Sequence, residues 1–152
     1  LAIEAHVVAV GEEEALVVRA DIDDINSVAD LAGRKTTNSP GSTYADKAIE
    51  AGATVEYVDT LGETMAMLEQ GRAEATLNAL SSVEDYLREH PDAKIKIVET
   101  MPGAPICVPM EKSDRAASLL AAVNEALEQA RQDGTLAELS MKYFGKDQTK
   151  AE

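Results

Sequence analysis

The sequence of 152 residues is long enough for one ordinary domain, or for two small lobes, with a buried core. Lys and Arg number 14 and Asp and Glu number 28, so the formal net charge of −14 argues against a nucleic-acid partner or an anionic membrane surface. Phe144 is the only Phe and Trp is absent, so we expect an aliphatic core. One cysteine, Cys107, excludes an intrachain disulfide. Because His6 and His90 lie far apart in sequence, they indicate no metal site, and we expect no cofactor.

The N-terminal part of the sequence predicts two short strands. Residues 7–10 and 15–20 are apolar runs, separated by Gly11 and an acidic triplet at residues 12–14. Such runs are typical of buried strands, and these two could pair as a hairpin around a solvated acidic turn. Because the sequence begins without an initiator Met or a signal peptide, we expect a mature, trimmed or engineered chain.

Residues 23–98 alternate between helical and strand patterns. Helices are predicted around residue 30 and over 44–51, 61–70 and 82–90, and strands over 34–38, 54–58, 74–79 and 95–98. Ser81 or Ser82 is expected to cap the last of these helices. Helices and strands that alternate through short links predict a parallel sheet with helices on its faces.

The C-terminal part of the sequence predicts one more strand and two helices. Residues 106–110 form the strand, in which Pro109 favours an edge position and Cys107 is interpreted as a buried thiol. A long amphipathic helix then ends at Gly134, and Thr135 is expected to cap the last helix.

A polar turn between the first strand and first long helix of the alternating region is the candidate ligand site. It contains Ser39, Gly41, Ser42 and Thr43, and either Ser42 or Thr43 can cap the helix that follows. The first amides of a helix lack intrahelical acceptors and carry partial positive charge, so two hydroxyls beside them form a cradle for a carboxylate or another anion. A plain capped helix start without a ligand is the alternative interpretation.

The end of the predicted strand 74–79 supports the ligand interpretation. In open α/β sheets ligands bind outside the carboxyl ends of the strands. Asn78 and Ala79 lie at such an end, as does the polar turn. We therefore include both residues in the candidate site.

Several short motifs, taken in their order and spacing, resemble the bacterial extracellular solute-binding proteins of polar amino-acid ABC transporters. The motifs are Ser-Val-Ala-Asp-Leu-Ala-Gly-Arg-Lys at 27–35, Gly-Ser-Thr at 41–43, Leu-Glu-Gln-Gly-Arg-Ala-Glu-Ala at 68–75, Ala-Ala-Val-Asn-Glu-Ala-Leu at 121–127, Asp-Gly-Thr-Leu at 133–136 and Lys-Tyr-Phe-Gly at 142–145. The resemblance is to family 3 of these proteins and covers roughly residues 16–147. It implies a type II periplasmic binding fold. In that fold two α/β lobes, joined by two crossover strands, close on an amino acid.

The resemblance also implies a division of the chain and a role for the polar turn. Residues 23–105 would form a nearly complete second α/β lobe with a parallel sheet, while residues 1–22 and 106–152 would form a reduced first lobe, the crossover strands and the C-terminal helices. Ser42 and Thr43 would bind the α-carboxylate of a small polar amino acid. The implied partner is an ABC transporter permease, and the implied location is periplasmic or extracellular.

Two departures from the family pattern bear on binding. Relatives carry a longer stretch with a carboxylate-clamping Arg ahead of the first crossover strand, where this sequence has only residues 1–14 and no equivalent Arg. The Asp that receives the ligand's ammonium group in the family maps onto Ala79, whose methyl group cannot neutralise a charge. Asn78 is adjacent, but strand alternation directs it to the other face.

Three hypotheses therefore stay open. The first is a solute-binding protein, or a fragment or descendant of one, for a small polar amino acid. The second is an engineered or truncated α/β scaffold with little or no ligand binding, and a homodimer formed by exchange of helices or lobes would fit either of these. The third is a dehydratase-like enzyme on the same fold, but the nearest carboxylates, Asp59 and Glu63, are interpreted as loop and first-turn helix acids. We therefore expect no enzymatic activity.

Overall fold

The computed structural model describes residues 3–9, 12–103, 106–111 and 113–149. These residues belong to two compact units, Glu13–Pro102 and the combination of Leu1–Glu12 with Gly103–Glu152. In chain order the elements are β1 Ile3–Ala9, β2 Glu14–Arg19, a 3-10 helix Val28–Leu31, β3 Lys35–Asn38, α1 Thr43–Glu50, β4 Thr54–Tyr57, α2 Leu61–Glu69, β5 Ala75–Ala79, α3 Leu80–Glu89, β6 Ile95–Met101, β7 Ile106–Glu111, α4 Asp114–Gln132 and α5 Thr135–Phe144.

The larger unit is built on a five-stranded sheet in the order β4-β3-β5-β2-β6. β3 runs parallel to β4 and β5, as the alternating pattern predicts. β2 runs antiparallel to both of its neighbours, β5 and β6, so the sheet is mixed rather than wholly parallel. The reason is that an apolar run reports burial and not direction, and no crossover helix connects β2 to the strands beside it.

The expected hairpin between the first two strands is wrong. β1 pairs antiparallel with β7 in the smaller unit, with Ile3 opposite Glu111, while β2 enters the larger sheet. Hydrophobic periodicity identifies strands but not their partners. The link between these two runs also lacks a two-residue hairpin signal such as Asn-Gly, which would have fixed the pairing.

Apolar side chains cover both faces of the larger sheet. Because side chains alternate along a strand, Ala15 and Val17 of β2 pack with residues of α2 and α3 on one face, while Leu16 and Val18 join a second cluster on the other. The first cluster comprises Ala15, Val17, Met65, Met67, Leu68, Ala73, Leu80, Val83 and Ile95. The second comprises Leu16, Val18, Ile22, Ile25, Leu31, Ala48, Ala75 and Leu77. Both clusters are aliphatic, as the composition predicts.

β3 is buried although most of its residues are polar. Thr36, Thr37 and Asn38 are all in the interior. The Thr76 hydroxyl donates to the Thr37 carbonyl at 2.6 Å, and the Asn38 amide donates to the Leu77 carbonyl at 2.7 Å. These bonds join β3 to β5 and offset the desolvation of polar groups in the sheet.

Two predicted helix caps differ from the structure. α3 begins at Leu80 with Ala79 in the N-cap position, so Ser81 and Ser82 lie inside the first turn. α5 begins at Thr135 itself, after Gly134, whose φ of 86° is the left-handed conformation that glycine favours. In both places the residue with the hydroxyl lies inside the helix, after the N-cap position, so its hydroxyl does not cap the helix.

The smaller unit pairs β1 with β7 and contains α4 and α5. Its helices bury Leu120 and Ser140 but leave several large apolar side chains exposed. These are Leu119, Leu139, Met141, Tyr143 and Phe144. Among the described residues no helix has the length and apolar composition needed to cross a membrane. The side chains of His6 and Cys107 lie outside the described part, so their predicted roles stay predictions.

Candidate functional site

The sheet brings the predicted site residues to one edge. β3 and β5 are parallel neighbours with Thr36 paired to Ala75, so their carboxyl ends lie side by side. The polar turn follows the end of β3, and Asn78 and Ala79 form the end of β5. All of these residues lie within the larger unit. This edge therefore holds every residue that the sequence assigned to the site.

The polar turn leads directly into α1. Ser39 is half-buried and its carbonyl accepts from the Ser42 amide at 3.3 Å. Gly41 has a φ of 71°, and a Cβ there would contact nothing within 4 Å, so its glycine requirement is conformational rather than steric. Ser42 is the N-cap, and its hydroxyl oxygen accepts from the Ala45 amide at 3.1 Å. Thr43 is the exposed first residue of the helix.

This geometry can bind an anion. A serine hydroxyl that accepts from a backbone amide still has its own proton to donate. Ser42 can therefore cap α1 and donate to a carboxylate at the same time. The adjacent amides at the start of α1 have no acceptor within the helix, and the helix dipole favours negative charge there.

The two residues at the end of β5 face opposite sides of the sheet. Ala79 alternates in phase with Ala75 and Leu77, which pack in the cluster beneath α1. Asn78 lies out of phase with them, and its side-chain oxygen Oδ1 accepts from the backbone amide of Ala79 at 2.9 Å. The side chain beside the polar turn on the α1 face is therefore the methyl group of Ala79.

Asn38, the last residue of β3, has one paired and one unpaired side-chain polar atom. Its amide nitrogen donates to the Leu77 carbonyl, but its side-chain oxygen is buried and, among the described residues, without a hydrogen-bond partner. A buried unpaired carbonyl oxygen is unfavourable, and natural structures keep few of them. It lies at the end of β3, directly before the turn that leads to Ser42.

Glu14 is a residue that the sequence interpretation missed. As part of the acidic triplet it was expected in a solvated turn, but it is the first residue of β2 and its side chain is only 4% exposed. Its carboxylate contacts the ammonium group of Lys47 on α1, and its partner across the β2–β5 ladder is Ala79. The missed signal is alternation, because Glu14 is in phase with Leu16 and Val18 on the buried face beneath α1.

Arg34 does not supply a carboxylate clamp. It lies ahead of β3, at the end of the strand opposite to the polar turn, and pairs with Asp24 and Glu74. Hydrogen bonds to the carboxylates of Asp24 and Glu74 raise the pKa of its guanidinium above the ordinary value. The same contact with Arg34 lowers the pKa of Asp24. These three residues form a separate charged cluster.

A surface groove of about 550 Å³ runs along the α1 side of the larger unit. It is lined by Val28, Ala29, Lys47, Glu50, Ala51, Glu99, Met101 and Pro102. Lys47 lines this groove and also contacts Glu14, which is not one of the lining residues. Within the described residues no group of three or more His, Cys, Asp and Glu side chains could hold a metal ion.

Comparison with known proteins identifies relatives over most of the chain. The family described as "Bacterial extracellular solute-binding proteins, family 3" matches residues 6–146. The sequence is 36% identical over 135 residues to the Haemophilus influenzae protein named "Probable amino-acid ABC transporter-binding protein". The aligned region covers 88% of this chain and 52% of that protein. It is 35% identical over 136 residues to the L-cystine-binding protein TcyA of Bacillus subtilis, and that alignment covers 89% of this chain and 50% of TcyA.

A solved structure agrees with these matches. The L-cystine solute receptor of Neisseria gonorrhoeae, in its unliganded open conformation, is 34% identical with a TM-score of 0.61, and covers 98% of this chain and 63% of that one. This chain spans about half the length of the two curated relatives. The matched proteins are binding proteins of transporters and not enzymes, which confirms the non-enzymatic interpretation and the type II periplasmic binding fold.

Proposed function

Because the chain belongs to the bacterial extracellular solute-binding proteins of family 3, we propose that it binds a small polar amino acid for delivery to an ABC transporter. In this proposal the ligand's α-carboxylate lies at the start of α1. The hydroxyls of Ser42 and Thr43 and the first amides of the helix hold it. The observation that carries the proposal is the Ser42-capped helix start beside the carboxyl end of β5.

Helix electrostatics give the proposed contact its strength. An anion at a helix N-terminus is stabilised by about 0.3–1 kcal/mol in solvent, and by up to about 2 kcal/mol when partly buried. Hydrogen bonds to a charged acceptor add about 1.5–3 kcal/mol each. Ser42 is half-buried and Thr43 is exposed, so we expect most of the contact energy to come from Ser42 and the backbone.

The names of relatives direct the choice of ligand. TcyA and the Neisseria gonorrhoeae receptor are named for L-cystine, a polar amino acid with two carboxylates and two ammonium groups. We propose L-cystine as the first ligand to test, with L-arginine and L-glutamine beside it. We further propose a permease partner and a periplasmic or extracellular location, since the family is extracellular. A homodimer by exchange of helices or lobes is part of the same proposal.

A scaffold with little or no binding is the second candidate. It is favoured by one observation, the methyl group of Ala79 where the family pattern has an acid. Thermal unfolding of the full chain, with each amino acid at millimolar concentration, separates the two candidates. A ligand that binds only the folded state raises the unfolding temperature by mass action.

The test needs variants that isolate the contact from the cap. Changing Ser42 and Thr43 to Ala removes the cradle but also a helix cap, which alone costs about 1 kcal/mol. Thr60→Ala is the matched control, because Thr60 caps α2 through the Glu63 amide in the same unit. The proposal requires that the ligand-induced shift disappear in the Ser42/Thr43 variant and persist in the control. A wild-type protein that melts cooperatively and shows no shift with any ligand of the panel supports the scaffold.

A further inference from the structure

We propose that Glu14 receives the ligand's ammonium group at the sheet edge, where Ala79 offers none of the charge that the group needs. This inference rests on the proposed function, because it concerns the same ligand. It adds a specificity-determining residue from a different strand. A carboxylate on β2 would thus do the work that the family pattern assigns to the end of β5.

The strand register places Glu14 beside Ala79. The two residues are direct partners in the antiparallel β2–β5 ladder. Side chains directly opposite each other have Cβ atoms about 4.5–5.5 Å apart and point to the same face. That face is the one beneath α1, as the contact between Glu14 and Lys47 confirms. Ala79 contributes only a methyl group opposite Glu14, so no charged or bulky side chain stands across the ladder from the Glu14 carboxylate.

Burial distinguishes Glu14 from the other acids of the chain. Among the described residues it is the only charged side chain in the buried class. A buried carboxylate is unfavourable unless it has a cationic partner. Lys47 is the cationic partner that Glu14 has in this structure, and in the proposal the ligand's ammonium group is a second one. Asp46, in the first turn of α1, is exposed and offers no such desolvated charge.

The contact with Lys47 shows where the Glu14 carboxylate lies relative to α1. Its ammonium group contacts Oε2 of Glu14. Lys47 follows Thr43 by four residues on α1, which places the two on one side of the helix and about 6 Å apart along its axis. The α-carboxylate and α-ammonium groups of an amino acid share one carbon. In the proposal one zwitterion places its carboxylate at the helix start and its ammonium group against Glu14.

The existing ion pair is compatible with a ligand. A carboxylate has two oxygens and about four acceptor positions, so Glu14 can bind Lys47 and a ligand ammonium together. Lys47 is 38% exposed and can also turn toward solvent when a ligand arrives. In either case Lys47 keeps the carboxylate neutralised when no ligand is bound. The pair then protects the empty site from an uncompensated buried charge.

Calorimetric titration of the full chain with matched ligands tests the inference. The probes are L-cystine, L-arginine and L-glutamine, each beside its analogue without the α-ammonium group, which for L-cystine is 3,3′-dithiodipropionate. Glu14→Gln keeps the shape of the side chain and removes its charge. We expect this variant to lose about tenfold to hundredfold in affinity for the amino acid, from one charged hydrogen bond. Its affinity for the analogue should not fall, because the analogue has no α-ammonium group for Glu14 to bind.

Two further variants separate binding from structure. Lys47→Met removes the other half of the ion pair, and we expect it to keep or increase amino-acid affinity, since Glu14 is then free for the ligand. Glu14→Gln combined with Ala79→Asp moves the charge to the opposite residue, and we expect it to regain affinity. Circular dichroism of each variant confirms that it is folded.

Each outcome has a distinct meaning. Equal losses for the amino acid and its analogue in Glu14→Gln, matched by an equal loss in Lys47→Met, would show that the pair is only structural and overturn the inference. Binding of the amino acid by wild type together with undiminished binding by Glu14→Gln would overturn it as well. If wild type binds none of the amino acids and none of the analogues, the proposed function itself fails, and the inference fails with it.

Discussion

The two units of the chain differ in how completely they bury their apolar side chains. The larger unit covers both faces of its sheet with aliphatic clusters, and Ile49 and Tyr57 are its exposed large apolar residues in the described part. The smaller unit leaves five such side chains exposed on α4 and α5, with Tyr143 at 69%. The candidate site lies wholly in the unit with the closed core. A binding site needs a rigid support, and the larger unit provides one.

Two leucines, one in each unit, should differ most in how much they contribute to the free energy of unfolding. Leu16 is fully buried on the interior strand β2, whereas Leu119 on α4 is 57% exposed. Leu16→Ala should lower the free energy of unfolding by about 2–5 kcal/mol, because it leaves a cavity. Leu119→Ala should change it by no more than about 0.5 kcal/mol. Urea titration monitored by circular dichroism gives both values, and similar losses would contradict the difference in burial.

A second comparison concerns one buried polar residue in each unit. Asn38→Ala removes the amide that donates to the Leu77 carbonyl, and should cost about 1–3 kcal/mol because that carbonyl loses a buried partner. Ser140→Ala removes a hydroxyl that donates to the Lys146 carbonyl and accepts from the Gln148 amide. Chemical denaturation measures both. We expect only Asn38→Ala to change ligand binding, and an effect of Ser140→Ala on binding would place the site elsewhere.

A third comparison uses two glycines of the same conformation. Gly41 in the polar turn and Gly145 after α5 have φ values of 71° and 70°, and neither would bring a Cβ into contact with other atoms. Ala at either position should therefore cost about 1–2 kcal/mol from backbone conformation alone. Thermal unfolding measures this loss and calorimetry measures the affinity. Only Gly41→Ala should weaken amino-acid binding, and equal affinity in both variants would argue against the turn as the site.

The smallest effect is a dependence of stability on pH. Hydrogen bonds from the Asn26 amide and from the hydroxyl and amide of Ser27 lower the pKa of Asp30. A lowered folded-state pKa stabilises the fold above the unfolded value of about 3.9, and this contribution is lost as the pH falls through the folded-state pKa. Asp133 in the smaller unit also has a lowered pKa, mainly through Thr135.

Unfolding at a series of pH values between 2 and 7 checks this expectation. Asp30→Asn should be less stable than wild type at neutral pH, and the two should converge at the acid end. Asp133→Asn should show the same convergence for the smaller unit. A constant difference between variant and wild type across the whole pH range would mean that the charge of the carboxylate is not what stabilises the fold.

The sequence predicts the local elements of the larger unit well, because each carries its own signal. The helix start at Ser42, the helix ends at Gly52 and Gly71 and the buried strands follow from caps, left-handed glycines and apolar runs. Their arrangement is harder to predict. The reversed direction of β2 and the pairing of β1 with β7 depend on contacts distant in sequence, which no periodicity reports.

The candidate site divides in the same way. The sequence predicts that Ser42 and Asn78 lie at one edge of the sheet, because the carboxyl ends of parallel strands meet there. Glu14 is missed, since its burial depends on pairing with β5 and on contact with Lys47, both far away in sequence. Because Glu12 and Glu13 precede it, the sequence alone indicated that Glu14 lies in a solvated turn. The buried acid becomes visible only when the strand order is known.

We propose that the larger unit binds an amino acid between the start of α1 and Glu14. Heteronuclear NMR of the full ¹⁵N-labelled chain during titration with L-cystine, L-arginine and L-glutamine tests this proposal. We expect one of them to shift the amide signals of Ser42, Thr43, Ala79 and Glu14 together, with a single affinity, and to leave the signals of α4 and α5 unchanged. Shifts confined to α4 and α5, or no shifts with any of the three, would contradict it.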